Sequence, residues 1–237
     1  MTGLPSNTVL HGDCVQVMSG LPSASVAFVL TDPPYGVRYR DRSGRTIAND
    51  EHLDWLRPAF AEMFRLLKPD TLALSFFGWN QIDEFASAWK AAGFAIVGHL
   101  VFAKRYASSS RYFGHRHEQA YLLAKGNPQR PAEPLPDVLD WRYTGNRLHP
   151  TQKPAECLTP LVRAFCRPGG MVLDPFCGSG SSLVAARDAG CAWLGIELDQ
   201  DYHRTAMKRL GGIHREAPTT HVLPWAMPFT RYAQPAA

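Results

Sequence analysis

No stretch of the 237 residues approaches the roughly 20 consecutive apolar positions of a membrane helix, so no membrane partner is expected. The opening MTGLPSNTVLHGD lacks the basic and apolar blocks of a secretory leader, which makes the cytoplasm the expected location. Cysteine is sparse. The five residues (Cys14, Cys157, Cys166, Cys177 and Cys191) are odd in number and nowhere spaced as CxxC, which argues against a disulfide framework or a zinc site. Nine histidines are present, yet the HRH at 115–117 has no second ligand pair nearby, so no metal is expected. Charged residues are only 19% of the chain and hydrophobic ones 45%, which suits one packed domain rather than a disordered chain.

The net charge of +4 is mild but uneven. RYRDRSGR (38–45) sets Arg38, Arg40, Arg42 and Arg45 against one aspartate. KRYASSSRYFGHRH (104–117) interleaves Lys104, Arg105, Arg111 and Arg116 with aromatics and hydroxyls. Basic loops with interleaved aromatics suit a phosphate backbone and unstacked bases. Between such loops, short apolar runs alternate with helix-length segments, the pattern of a mainly parallel α/β sheet. Strands are expected at 8–11, 26–31, 71–77, 94–102, 118–124, 171–174 and 192–197, and helices at 52–67, 80–91, 154–166, 180–189 and 199–209. Residues 126–150, rich in Pro, Gly and Asn, read as a long loop, and 211–237 as a C-terminal tail.

Two stretches are not explained by folding alone. In TDPPYG (31–36) a buried strand stops on Asp32, followed by Pro33 and Pro34, which cannot donate to a sheet ladder, and then by an aromatic ring. In VLDPFCGSGSS (172–182) a strand ends on Asp174 and a tight glycine turn opens a helix, aiming free N–H groups at an anion. No lysine follows the second glycine as in a P-loop, and Leu183 stands where a dinucleotide fingerprint has its third glycine. A cofactor with a carboxylate in place of a pyrophosphate, such as S-adenosylmethionine, needs neither. Glu197 ends the next strand 19 residues after Gly178, near the roughly 20-residue offset at which an acid meets ribose hydroxyls.

Together these stretches resemble the DNA amino-methyltransferases that modify adenine-N6 or cytosine-N4 with S-adenosylmethionine. DPPY (32–35) resembles their catalytic motif and DPFCGSGSS their cofactor motif. HPTQKP (149–154) and HGDC (11–14) are similar to two further motifs, and the resemblance spans residues 8 to about 209. The catalytic motif comes first, as in the circularly permuted β class. The resemblance implies a Rossmann-like methyltransferase fold with a seven-stranded, mostly parallel sheet flanked by helices. It implies a catalytic domain over 1–210, with 36–50 and 104–148 contacting DNA.

It also assigns roles. Asp32 and the Pro33 carbonyl would accept the two N–H bonds of the target amine, held by the rigid Pro33–Pro34 pair, while Tyr35 would stack on a flipped base. Asp174 would take the methionine ammonium, with Phe176, Gly178, Ser179 and Gly180 forming the turn around it. Thr151 and Lys153 would lie near the carboxylate, Glu197 at the ribose, and Asp13 and Cys14 at the adenine. Arg38, Arg40, Arg42, Arg45, Lys104, Arg105 and Arg111 would contact nucleic acid. The expected partner is double-stranded DNA and the expected base adenine, with cytosine-N4 as the alternative. A homodimer and a paired restriction endonuclease are left open, as are RNA methylation and a non-catalytic nucleic-acid-binding scaffold.

Overall fold

A computed structural model describes residues 3–40, 44, 50–108, 112–142, 145 and 148–211. In chain order its elements are β1 (Thr8–His11), α1 (Cys14–Ser19), β2 (Val26–Thr31), α2 (Leu56–Leu66), β3 (Leu67–Phe76), α3 (Ile82–Ala92) and β4 (Ala95–Ala103). There follow β5 (His117–Lys125), β6 (Val138–Asp140), α4 (Ala155–Phe165), β7 (Met171–Asp174), α5 (Ser181–Asp188), β8 (Ala192–Glu197) and α6 (Gln200–Leu210). All the strands join one sheet in the order β1-β8-β7-β2-β3-β5-β4-β6. Among the described residues, only the β3–β5 and β5–β4 pairings are antiparallel.

The central strand β2 explains the layers. Its side chains alternate between faces, as a period of two demands. Phe28 and Leu30 pack with Leu158, Leu161 and Val162 of α4 and with Leu183 of α5. Val29 packs on the other face with Met18 of α1, Phe60 and Met63 of α2, and Trp89 of α3. Both faces are covered, so the strand reads as one apolar run. From the neighbouring pair β2 and β7 the chain leaves in opposite directions, β2 through α2 to β3 and β7 through α5 to β8. The two crossover helices lie on opposite faces. That divergence opens a crevice beyond the carboxyl ends of the two strands, the usual ligand site in such sheets.

Four sequence expectations need correction. The sheet has eight strands, because β6 forms inside the expected long loop as a three-residue edge parallel to β4. α1, six residues long, was not expected; the Asp13 carboxylate caps it by accepting from the Gln16 N–H at 3.0 Å, and Gly20 closes it. The helix expected over 52–67 begins at Leu56 and ends at Leu66. β3 begins at Leu67, not 71, and runs through Pro69 because β2 slips register between Val26 and Phe28, where the strand needs no proline donor. The expected tail lies, from residue 212 onward, outside the described residues. Among the described residues, no helix is long and apolar enough to cross a membrane.

Candidate functional site: a cleft over two strand ends

β2 ends at Thr31 and the chain turns out through Asp32–Pro33–Pro34–Tyr35–Gly36. A residue that sequence reasoning did not single out holds this turn. The buried Asp50 carboxylate accepts the backbone N–H groups of Tyr35, Gly36 and Val37 on one oxygen, at 2.9, 2.7 and 3.3 Å. Its other oxygen accepts the Tyr39 N–H at 2.6 Å. Gly36 has φ +70°, and an added Cβ there would stand 3.0 Å from Leu53 Cδ2, so glycine is needed for both angle and space. Replacing Asp50 with Ala strands several donors at once. It is expected to lower the unfolding free energy by about 3 kcal/mol, measured by urea denaturation, and an unchanged midpoint would mean the turn is held by its prolines alone.

Asp32 meets two donors at the cleft floor. The Tyr35 hydroxyl donates to Oδ1 at 2.6 Å, and Lys153 Nζ donates to Oδ2 at 2.5 Å. Burial, followed by the Asp32 charge, pushes the Tyr35 phenol well up, so it stays a neutral donor. Lys153, expected near a cofactor carboxylate, lines the cleft with Thr151 and is buried with its ammonium against the Asp32 carboxylate, Nζ standing 4.9 Å from the Phe76 ring centroid. Burial alone would lower its pKa, but the Asp32, Glu118 and Asp174 carboxylates outweigh that and raise it. Lys153 is therefore a cation at neutral pH.

The second strand end lies alongside. Asp174, buried at the end of β7, accepts from the Thr31 hydroxyl at 3.1 Å, from the Phe176 N–H at 3.0 Å, and from the Ser182 hydroxyl. Thr31 thus ties the two acidic strand ends together. Burial pushes the Asp174 carboxyl up to about 7, against the lowering effect of these donors. The turn Phe176–Gly180 then leads into α5, with Gly180 at φ +81° as the residue before the helix. Glu197, at the end of β8, accepts the Gly178 N–H at 2.8 Å and the Asp199 N–H at 2.7 Å, and burial raises its pKa. Gly195, two residues earlier, permits this closeness: a Cβ there would stand 2.5 Å from Leu183 Cδ1 and 2.9 Å from Cys177 Sγ.

A cleft of ≈1090 Å³ runs over both strand ends. Asp13, Cys14, Asp32, Pro33, Pro34, Tyr35, Thr151, Lys153, Asp174, Phe176, Gly178, Ser179 and Glu197 line it, so all four sequence motifs converge on one cavity. Gly180 stands just behind, as the cap of α5. Sequence reasoning also missed Glu118, His149 and Trp55. Glu118 lines the cleft and ion-pairs with Lys104. The His149 ring takes Thr151 Oγ1 at 3.1 Å and lies 4.3 Å from the Tyr202 ring. Trp55 packs its ring 4.9 Å from that of Phe176. A polar residue between two motifs was the only signal for Glu118, and the first residue of HPTQKP the signal for His149.

The basic residues divide. Arg38, Arg40 and Arg105 are exposed at or near the cleft mouth. Lys104 is not the exposed loop cation expected: it is 6% exposed, paired with Glu118, with Nζ 5.4 Å from the Trp141 ring centroid. Arg42, Arg45 and Arg111 lie outside the described residues. Beside the same loop, Trp79 is 63% exposed and stacks on His115 at 5.8 Å, with Tyr112 and Phe113 also exposed.

Comparison with known proteins places this geometry. The DNA methylase family pattern matches residues 26–208. YubD of Escherichia coli (strain K12), which carries a methylase name, is 56% identical over 206 residues, covering 87% of this chain and 91% of that protein. The DNA adenine methyltransferase YhdJ of the same organism is 27% identical, over 88% of this chain and 84% of its own. The solved structure of TTHA0409 from Thermus thermophilus, complexed with S-adenosyl-L-methionine, superposes with a TM-score of 0.67 at 25% identity, covering 86% of this chain and 94% of that one. The matched region contains both acidic strand ends, the glycine turn between β7 and α5, and Lys153. By sequence and by the layout of its cleft, this chain belongs to the DNA methylase family.

Proposed function

We propose that this chain transfers the methyl group of S-adenosylmethionine to the exocyclic amine of a base flipped out of double-stranded DNA, and that the base is adenine. The observation that carries the reading is the pairing of Asp32 and Asp174 on adjacent strand ends, bridged by Thr31 inside one cleft. One acid thereby faces a substrate while its neighbour faces a cofactor.

The donor set suits S-adenosylmethionine. Its ammonium calls for an acid, as at Asp174; its diol for a second, as at Glu197; and its adenine amine for a third, as at Asp13. Thr151 and the turn Phe176–Gly180 border the methionine end. When bound, the cofactor supplies an electrophilic methyl on a sulfonium. The protein's task is orientation. An exocyclic amine is a weak nucleophile because its lone pair is delocalised into the ring. The Asp32 carboxylate accepts one amine N–H and the Pro33 carbonyl the other, at an angle that the two prolines and the Asp50 clamp keep fixed. Two rigid acceptors favour a pyramidal amine with its lone pair aimed out of plane, a preorganised arrangement that needs no strong base. The Tyr35 ring supplies a stacking face for the extrahelical base, and Arg38, Arg40 and Arg105 supply phosphate contacts.

The choice of adenine rests on the Asp that opens the Pro-Pro-Tyr motif and on the name of the relative YhdJ. Incubation with duplex DNA and labelled S-adenosylmethionine, then digestion to nucleosides and mass separation, is expected to yield N6-methyladenine. A methylcytosine peak without methyladenine would overturn the choice of base. Label in RNA but not DNA would overturn the substrate.

A further inference from the structure

Lys153 is tied to the acid at the end of the DPPY-side strand rather than to the glycine turn. Its Nζ lies 2.5 Å from Asp32 Oδ2 across 121 residues of sequence, its side chain is 8% exposed, and it lines the same cleft as Asp32 and Pro33. An ammonium carries three N–H donors, and the Asp32 carboxylate takes one. Acceptor and donor therefore stand side by side on the cleft floor, at the separation of two adjacent groups on the edge of a planar base. The geometry points to a specific ligand for that pair: the amidine edge of the target base, with Lys153 donating to the ring nitrogen beside the amine. This inference rests on the function proposed above.

Two properties of the bases follow from such a contact. Adenine presents an amine beside N1, and cytosine an amine beside N3; in each, the ring nitrogen is an acceptor. The guanine amine lies between an N1–H donor, which would meet the Lys153 donor head-on, and the N3 acceptor, and thymine has no exocyclic amine to methylate. An Asp32–Lys153 pair thus suits the amine and its neighbouring acceptor in both bases the family modifies. It replaces what flipping removes, because in the duplex the thymine N3–H covers adenine N1 and the thymine O4 accepts the amine.

The contact also protects chemoselectivity. The ring nitrogen has an in-plane lone pair that is not delocalised, so it is a better nucleophile towards a sulfonium than the amine. Once the base leaves the helix that lone pair is bare. A Lys153 N–H directed at it occupies the lone pair and leaves the amine as the reacting atom. The amine nitrogen then forms the new C–N bond as the S–C bond breaks, and its surplus proton leaves to Asp32 or water. Lys153 retains its own proton throughout, in keeping with the Asp32, Glu118 and Asp174 carboxylates around it.

A substrate–protein cycle tests the inference. Once the modified sequence is known, two duplexes are compared, one with adenine at the target and one with 1-deazaadenine, in which a C–H replaces N1. Each is assayed with the wild-type chain and with Lys153→Met. The wild type is expected to lose about 10- to 100-fold in kcat/KM on the deaza substrate, the loss of one hydrogen bond from a charged donor. Lys153→Met is expected to fall by a similar factor on adenine, to treat both substrates alike, and to release a fraction of 1-methyladenine. Changes in amine reactivity caused by the deaza ring act on both proteins and cancel. Should the target be cytosine, 3-deazacytosine serves in the same way. If the wild type ignores the deaza change, or if both proteins lose the same factor, the contact does not exist. If Lys153→Met fails to fold, an unchanged rate of the wild type on the deaza substrate still overturns the contact. No transfer by the wild type to unmodified DNA would overturn the proposed function as well, which separates the two failures.

Discussion

Asp32→Ala is expected to lower methyl transfer at least 100- to 1,000-fold while cofactor affinity stays close to that of the wild type. The acid sits at the end of β2, beside Pro33 and Pro34, and its hydrogen bonds run to Tyr35 and Lys153 rather than to the glycine turn. Removing it withdraws one of two fixed acceptors from the amine and frees the Tyr35 hydroxyl, so both the angle of attack and the stacking ring lose definition. It also leaves the Lys153 cation buried without its partner, so a moderate loss of stability accompanies the loss of rate. Asp32→Asn separates the two effects. The amide keeps one acceptor oxygen for Lys153 and the shape of the site, so its stability should lie near the wild type and its rate between wild type and Ala. Single-turnover assays, with calorimetric titration of S-adenosylmethionine, read both quantities. Near-normal turnover by the Ala variant would remove Asp32 from the mechanism.

The second large effect joins function and stability with opposite signs. Asp174→Asn is expected to abolish measurable cofactor binding and to raise the melting temperature of the free protein at pH 8 by several degrees. The Asp174 carboxyl titrates near 7 in the folded chain, against a usual value of 3.8. The folded state therefore holds a proton that the unfolded state has released. Stability falls as pH rises from about 4 to about 7, and above 7 the full cost of an ionised buried carboxylate remains, with an upper bound of about 4 kcal/mol. Asparagine carries no such charge. Its oxygen can accept from Thr31 and Phe176 and its amide can donate to the Ser182 hydroxyl, which reproduces the hydrogen bonds of the acid. At pH 4 wild type and variant should melt together, and the gap should open as pH rises. The cofactor ammonium reverses the preference, because it needs the carboxylate. S-adenosylmethionine affinity of the wild type should thus weaken about tenfold per pH unit below 7. Equal melting temperatures at pH 8 would show that Asp174 carries no charge penalty.

What the amino-acid sequence made legible follows from how local each signal is. β7 and β8 are short apolar runs ending on acids, β2 is one that an acid follows, and each strand fell where its run did. The glycine turn was legible because its conformation admits few other residues. The three-residue β6 was not, because an edge this short has no period to detect. α1 was hidden by its length, and its cap Asp13 read only as a ligand candidate. Asp50 gave no signal because its partners are backbone N–H groups, which any sequence provides. The partners of Lys153 and Lys104 were not legible for a related reason. A lysine's partner is set by tertiary packing, and Asp32 and Glu118 come from other strands or their ends.

The strand order has a temporal consequence. β8 and β7 separate β1 from β2, so Thr8 pairs with Leu194, and β2 borders a strand made some 140 residues after it. On the ribosome, at about 5–20 residues per second, the first strand waits roughly 10–40 seconds for its neighbour to be synthesised. During that wait the glycine turn does not exist, Asp174 and Lys153 have yet to be made, and Asp32 ends a strand with one side open. Pairings this distant in sequence also slow the folding that follows release. A nascent chain thus carries Asp32 and Pro33 but neither Lys153 nor the glycine turn. The cleft is complete only after β8 has been made.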